Sequence, residues 1–339
     1  MRKFKKALTK LRKKNLSQIS FIVLALIAGL VAAEAVLRTW YSQFSNSDIE
    51  FWRYKTSLQR ISSDPRGFVQ RPLSALSIQG VSIQTNSYGF RNREFNIKKP
   101  KNTYRIFVLG NSNILGWGVP ESKTLTRLLD QRLNLPNHRW RRFKNIEIIN
   151  AAVADYRLEQ QLFSFLIELS KYEPDSILLG LSIEDARTVT QHRFNPLTRT
   201  SYLLAFVRAW GTSLVSALKS EASRIAETRS LFANQSWLKF RSNSAELVHE
   251  LRNRRIKLLP VILPDFSSLD SYPYNEVHWK IASLYTELGY YPLDLLPRFK
   301  GIKSSQLRIN GRESYPNENA HRIMADGIAE WIEKRGLIR

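Results

Sequence analysis

Hydrophobic and polar positions along the chain fall into three regimes. Residues 19–33 are apolar apart from Ser20 and Gly29. After Glu34 the triplet Ala35, Val36 and Leu37 carries the run to Arg38. Residues 19–37 thus form an apolar segment close to the ~20 residues needed to cross a ~30 Å hydrocarbon core. Trp40 and Tyr41 follow it, where aromatic rings favour a membrane interface. In the second regime, residues 39–100, no strong periodicity appears. There the alternation over 76–83 predicts short strands, and Asn86-Ser-Tyr-Gly-Phe predicts a turn. From residue 104 onward, short apolar runs alternate with amphipathic stretches. The runs at 104–109, 146–149, 176–181, 256–263 and 292–295 predict strands. The stretches at 122–133, 158–169, 274–288 and 319–334 predict helices. Strands alternating with helices imply a mainly parallel sheet covered on both faces. Residues 194–244 break this rhythm as a basic, aromatic and helical insertion, either a lid or membrane-facing element or a solvated helix pair.

Charge adds direction to the apolar segment. The first 14 residues carry eight basic side chains and no acid. By the positive-inside rule the N-terminus is expected in the cytoplasm and the main domain outside it. The division expected is a basic tail (1–14), a transmembrane anchor (15–38), a lead-in (39–100) and an α/β domain (101–339) with the insertion. The competing reading is a cleaved signal sequence, since Ala33-Glu34-Ala35 has the small-x-small form of a cleavage site. The formal net charge of +23 favours anionic partners such as lipid headgroups and acidic glycans. No basic–aromatic repeat or nucleic-acid module accompanies it. There is no cysteine, which excludes disulfides, thiol nucleophiles and thiolate metal sites. The histidine spacings suggest no metal site either, and no cofactor is expected.

In a parallel α/β sheet, ligands bind beyond the carboxyl ends of the strands. The loops there are 110–118, 150–156, 182–186 and the one before the last helix. Ser112 stands in the first, in a turn entering a helix, so it can be a nucleophile or simply cap that helix.

Longer motifs add weight to the first reading. Tyr104-Arg-Ile-Phe-Val-Leu-Gly-Asn-Ser-Asn-Ile-Leu-Gly-Trp-Gly-Val resembles the first block of the SGNH/GDSL hydrolases, a strand, Gly-Asp-Ser and a Gly-rich turn. Asn150-Ala-Ala-Val-Ala-Asp-Tyr is similar to the second block. Pro174-Asp-Ser-Ile-Leu-Leu-Gly-Leu-Ser-Ile-Glu-Asp is similar to the third, and Tyr315-Pro-Asn-Glu-Asn-Ala-His to the last. Asn86-Ser-Tyr-Gly-Phe-Arg resembles the lead-in of membrane-anchored members. The blocks stand in the family's order from residue 86 to 335. The resemblance implies a flavodoxin-like SGNH three-layer sandwich with a parallel sheet, behind an N-terminal transmembrane helix.

It also implies a set of site residues, and most of them depart from the pattern. Ser112 matches the family nucleophile, but the preceding Asp is Asn111. The oxyanion-hole glycine of block two falls at Asp155. The asparagine donor of block three falls at Glu184, and an ionised Glu cannot donate. The catalytic His falls at Tyr315, and the accompanying acid at Glu313 or Arg312. A tyrosine with an ordinary pKa near 10 is a poor base at neutral pH. Of the chain's histidines, His138, His192, His249, His278 and His321, none stands at the family position. Asp155, Glu184, Asp185 and Glu313 are expected to share a rim, with Arg187 and Arg312 as ion-pair partners. The resemblance therefore points to an impaired member that binds envelope polysaccharide or a membrane acyltransferase or export partner. The alternative is a serine esterase or O-acyltransferase acting on cell-envelope carbohydrate.

Overall fold

The computed structural model describes residues 2–40, 47–136, 142–187, 189, 200–311 and 313–338. The chain divides into two units, Met1–Trp52 with Arg193–Leu218, and Arg53–His192 with Lys219–Arg339.

In the first unit, helix α1 (Arg2–Trp40) runs unbroken through the apolar segment. Its stretch Gln18–Thr39 is long and apolar enough to cross a membrane, and none of its described residues is buried. A signal sequence has the same length and composition. Helix α2 (Ser47–Ser57) begins in this unit.

In the second unit, two antiparallel pairs precede the sheet: β1 (Gln59–Ile61) with β2 (Phe68–Gln70), and β3 (Ala75–Ile78) with β4 (Val81–Gln84). The sheet comprises β5 (Thr103–Leu109), β6 (Asn145–Asn150), β7 (Ser176–Leu181), β8 (Lys257–Ile262) and β9 (Leu293–Asp294). Among the described residues it has five strands, all parallel, in the order β6-β5-β7-β8-β9. Between β5 and β6 lie α3 (Ser112–Leu115) and α4 (Leu125–Leu133), and between β6 and β7 lies α5 (Leu158–Ile167). Then follow α6 (Tyr202–Leu218), which belongs to the first unit, α7 (Glu221–Ser230), α8 (Gln235–Asn253), α9 (Asn275–Glu287) and α10 (Glu318–Lys334).

Strand periodicity sorts the core into two layers. Phe107, Leu109, Ile177, Leu179 and Leu181 point to a face shared with Leu162 and Phe165 of α5, Leu247 and Leu251 of α8, and Ile281 of α9. Ile106 and Val108 alternate to the other face, where α4 and α10 pack together through buried Leu129, Leu133, Met324 and Ile328. Pro260 sits inside β8 without breaking the sheet. Lys257 and Leu263 donate to Asp175 and Leu181 on the β7 side. By alternation the Pro260 nitrogen faces the β9 side, where β9 pairs only with Val261 and Ile262.

Candidate active site

The turn after β5 is shaped by close approach. A Cβ on Gly110 would lie 2.4 Å from Cγ1 of Ile114, so only glycine lets α3 fold back over the strand end. Asn111 caps α3, its Oδ1 accepting from the Asn113 amide at 3.0 Å. Ser112 is therefore the first helical residue and not the cap, and it is buried. Asn111 takes up the amides of this short helix, its side chain that of Asn113 and its carbonyl those of Ile114 and Leu115.

Beneath this turn lies Arg91, from the lead-in. Its guanidinium is buried and donates to the carbonyls of Leu115, Gly116 and Val119 at 2.9, 2.5 and 2.7 Å. Burial lowers its pKa to about 10, so it stays charged at neutral pH. Asn150 of β6 adds longer contacts to Ile114 and Leu115. The turn carrying Ser112 thus rests on side chains from two other segments.

Tyr315 reaches Ser112 from the loop before α10. An antiparallel bridge between Arg308 and Pro316 and a hydrogen bond from Ile309 N to Tyr315 O at 3.1 Å hold that loop. Asn317 caps α10 and also donates to Gln306 and Arg308 carbonyls, which fixes where the loop ends. The Tyr315 hydroxyl neighbours the Ser112 side chain, and its ring lies 5.7 Å from that of Trp117. Burial, with the charge of Glu313 beside it, pushes the Tyr315 hydroxyl well above the ordinary range. It remains protonated across the biological pH range and cannot take the serine proton. Glu313 is buried and accepts from Gln79 Nε2 at 3.0 Å.

The other expected site residues divide. Asp155 has φ +70°, the left-handed conformation that favours glycine. An Asp adopts this conformation at a tolerable cost. Its carboxylate pairs with Lys55 at 2.8 Å and Arg157 at 3.2 Å, and its charge bears on Tyr315. Glu184 instead turns to Arg187, which also reaches Glu227 at 3.5 Å. Among its charged neighbours is Asp265, whose pKa burial raises. Arg312 lies outside the described residues.

Asn111 also donates to Ser182 Oγ at 2.8 Å. Ser182 in turn donates its amide and hydroxyl to Asp185 at 2.6 and 3.0 Å, and Gln161 donates to the other carboxylate oxygen at 2.9 Å. Burial still pushes Asp185 up to about 7. This buried network, reaching from the β5 turn to the β7 turn, was not singled out by spacing. Asp185 was expected on the rim and lies inside.

Neither buried histidine among the described residues serves Ser112. His278 bridges Tyr272 at 2.7 Å and Asp294 at 2.9 Å. His321 accepts the Leu125 amide at 2.9 Å, and burial lowers its pKa to about 3. His249 pairs with Asn253 on the surface of α8. His138 and His192 lie outside the described residues. No group of three metal-binding side chains occurs among the described residues.

No family model matches the chain, and no curated protein does. Its neighbours among solved structures are GDSL-type lipolytic proteins and esterases. One is a lipolytic protein of the G-D-S-L family from Desulfitobacterium hafniense, 12% identical over 67% of this chain and 98% of that one, with TM-score 0.41. A psychrotrophic esterase from Pseudoalteromonas, inhibited by monoethylphosphonate, is 15% identical over 69% and 98%, with TM-score 0.42. An acetyl xylan esterase is 13% identical over 67% and 99%, with TM-score 0.42. None of these alignments assigns a residue or an activity to the chain.

Proposed function

We propose that the chain is a membrane-anchored SGNH-type protein with an impaired serine centre. In this reading it binds envelope glycan, alone or beside a membrane acyltransferase or export partner. The observation that carries the reading is the pairing of Ser112 with Tyr315. A phenol held protonated occupies the position where a serine hydrolase needs an imidazole. One of the remaining positions points the same way, since Glu184 is an acceptor engaged with Arg187. The net charge of +23 suits an acidic glycan. The apolar stretch of α1 serves as a single-pass anchor with the N-terminus in the cytoplasm and the α/β domain on the other side.

Two observations favour a second reading, a serine esterase or O-acyltransferase acting on envelope carbohydrate. Ser112 is retained at a helix start, and Asp155 keeps the backbone conformation of an oxyanion-hole glycine. A fluorophosphonate probe separates the two readings. The impaired centre predicts no labelling above that of Ser112→Ala, whereas strong labelling lost in that variant would establish the esterase.

A further inference from the structure

Glu34 is the one acid inside the apolar run of α1, and its partners explain it. Its Oε1 accepts the Tyr202 amide at 3.0 Å, and its Oε2 accepts the Leu203 amide at 2.8 Å. The Ser201 hydroxyl donates to Glu34 at 2.9 Å and accepts the Leu204 amide at 3.2 Å. Together these satisfy the first-turn donors of α6, which a helix otherwise leaves to water. Arg38 completes the joint, donating to Glu34 at 2.8 Å and to the Thr200 carbonyl at 2.7 Å. A helix start sealed this way suits a place with little water, where an unmade backbone hydrogen bond costs several kcal/mol.

The body of α6 points to the same place. Ala205 and Ala209, one turn apart, are buried. On the opposite side Leu204, Val207, Trp210, Leu214, Val215 and Leu218 are all exposed, from 43% to 80%. At 3.6 residues per turn these six lie in one arc of about 140° that contains no polar residue. Thr212, off this arc, donates to Asp48 at 2.9 Å, beyond the end of the anchor. A 17-residue helix is about 25 Å long, too short to cross the ~30 Å core.

We propose that α6 is a second membrane element, an interfacial helix lying in the headgroup–acyl boundary at the end of α1. Lipid acyl chains cover its exposed apolar face, as they cover the exposed apolar residues of the anchor. Thr212 and Arg208 mark the edge turned to headgroups and water. Glu34 is then a structural joint that ties the interfacial helix to the span. This inference rests on reading α1 as an anchor.

The absence of cysteine allows a direct test by single-site spin labelling of the full chain, reconstituted in phosphatidylethanolamine–phosphatidylglycerol vesicles. Labels at Val207→Cys, Trp210→Cys and Leu214→Cys are expected to collide several-fold more with oxygen, relative to a water-soluble nickel chelate, than labels at Arg208→Cys and Ser213→Cys. Ala28→Cys supplies the lipid reference and Lys98→Cys the aqueous one. Water-like values at 207, 210 and 214 with a lipid-like Ala28→Cys would overturn the proposal and leave the anchor standing. Immobilised labels shielded from both reagents would also overturn it, because protein would then cover the face. A water-like Ala28→Cys would overturn the anchor and this inference together.

Discussion

At the scale of single residues, the centre turns on what Ser112 can give its proton to. Tyr315 neighbours it, and burial with the charge of Glu313 holds its hydroxyl protonated. Replacing it by histidine puts an imidazole beside the serine, with the charge of Glu313 nearby to favour its protonated form. Tyr315→His is therefore expected to raise Ser112-dependent fluorophosphonate labelling by roughly 10²-fold or more, the usual contribution of a positioned base. Tyr315→Phe should leave labelling at background, and Ser112→Ala in the histidine variant should abolish the gain. Asp185 makes a second residue-scale prediction. Its pKa rises from an ordinary 3.8 to about 7, so between those values the folded chain keeps a proton that the unfolded chain has lost. Its stabilising contribution is full below the unfolded value and is lost as pH rises through about 7. Thermal unfolding followed from about pH 5 to 8 should therefore show a smaller decline for Asp185→Asn than for the parent chain. These details were only partly legible in the sequence. The motifs located Ser112, Tyr315 and Glu313. That Asn111, and not Ser112, caps α3 depends on which side chain turns toward the Asn113 amide. Composition and spacing do not encode that choice.

Elements with long, strong patterns were legible and short ones were not. The apolar run at 176–181 became β7 with the same ends, because a strand buried on both faces declares itself by continuous hydrophobicity. The strand predicted at 292–295 survives as two residues, since β9 pairs only with the last part of β8. Helix α2 and the pair β1–β2 fell in a region read as lacking periodicity, because three-residue strands are too short to set a period. The lead-in motif was visible, but its physical role was not. Arg91 acts across the fold, gathering three carbonyls of the Ser112 turn. Arg91→Met would leave those carbonyls without a charged donor in a buried place. It should cost roughly 1.5–3 kcal/mol of stability, the range for hydrogen bonds to charged groups. Denaturant unfolding reads this loss, and Lys at the same position should recover little, having no planar fork to span three acceptors. In the Tyr315→His background, Arg91→Met should also reduce labelling by loosening the turn that carries the serine.

On the scale of the whole molecule, the open choice at the N-terminus is between an anchor and a cleaved signal sequence. Length and hydrophobicity fit both, and the Ala33-Glu34-Ala35 triplet fits cleavage. The hydrogen bonds of α6 weigh against it. Cleavage after Ala35 would remove Glu34, the acceptor for the Tyr202 and Leu203 amides and the partner of Arg38 and Ser201. A segment destined for removal has no reason to cap a helix some 170 residues further along the mature chain. The cap would be lost at a cost of about 0.5–2 kcal/mol, with the apolar face of α6 left without its mount. The retained anchor predicts that the chain stays with the membrane pellet after alkaline carbonate extraction. Terminal sequencing of that material should find no start at residue 36. Glu34→Ala should leave extraction unchanged, because the apolar run of the anchor is kept. Release of the parent chain by carbonate, with a new terminus at residue 36, would show that the basic α/β domain works free of the membrane.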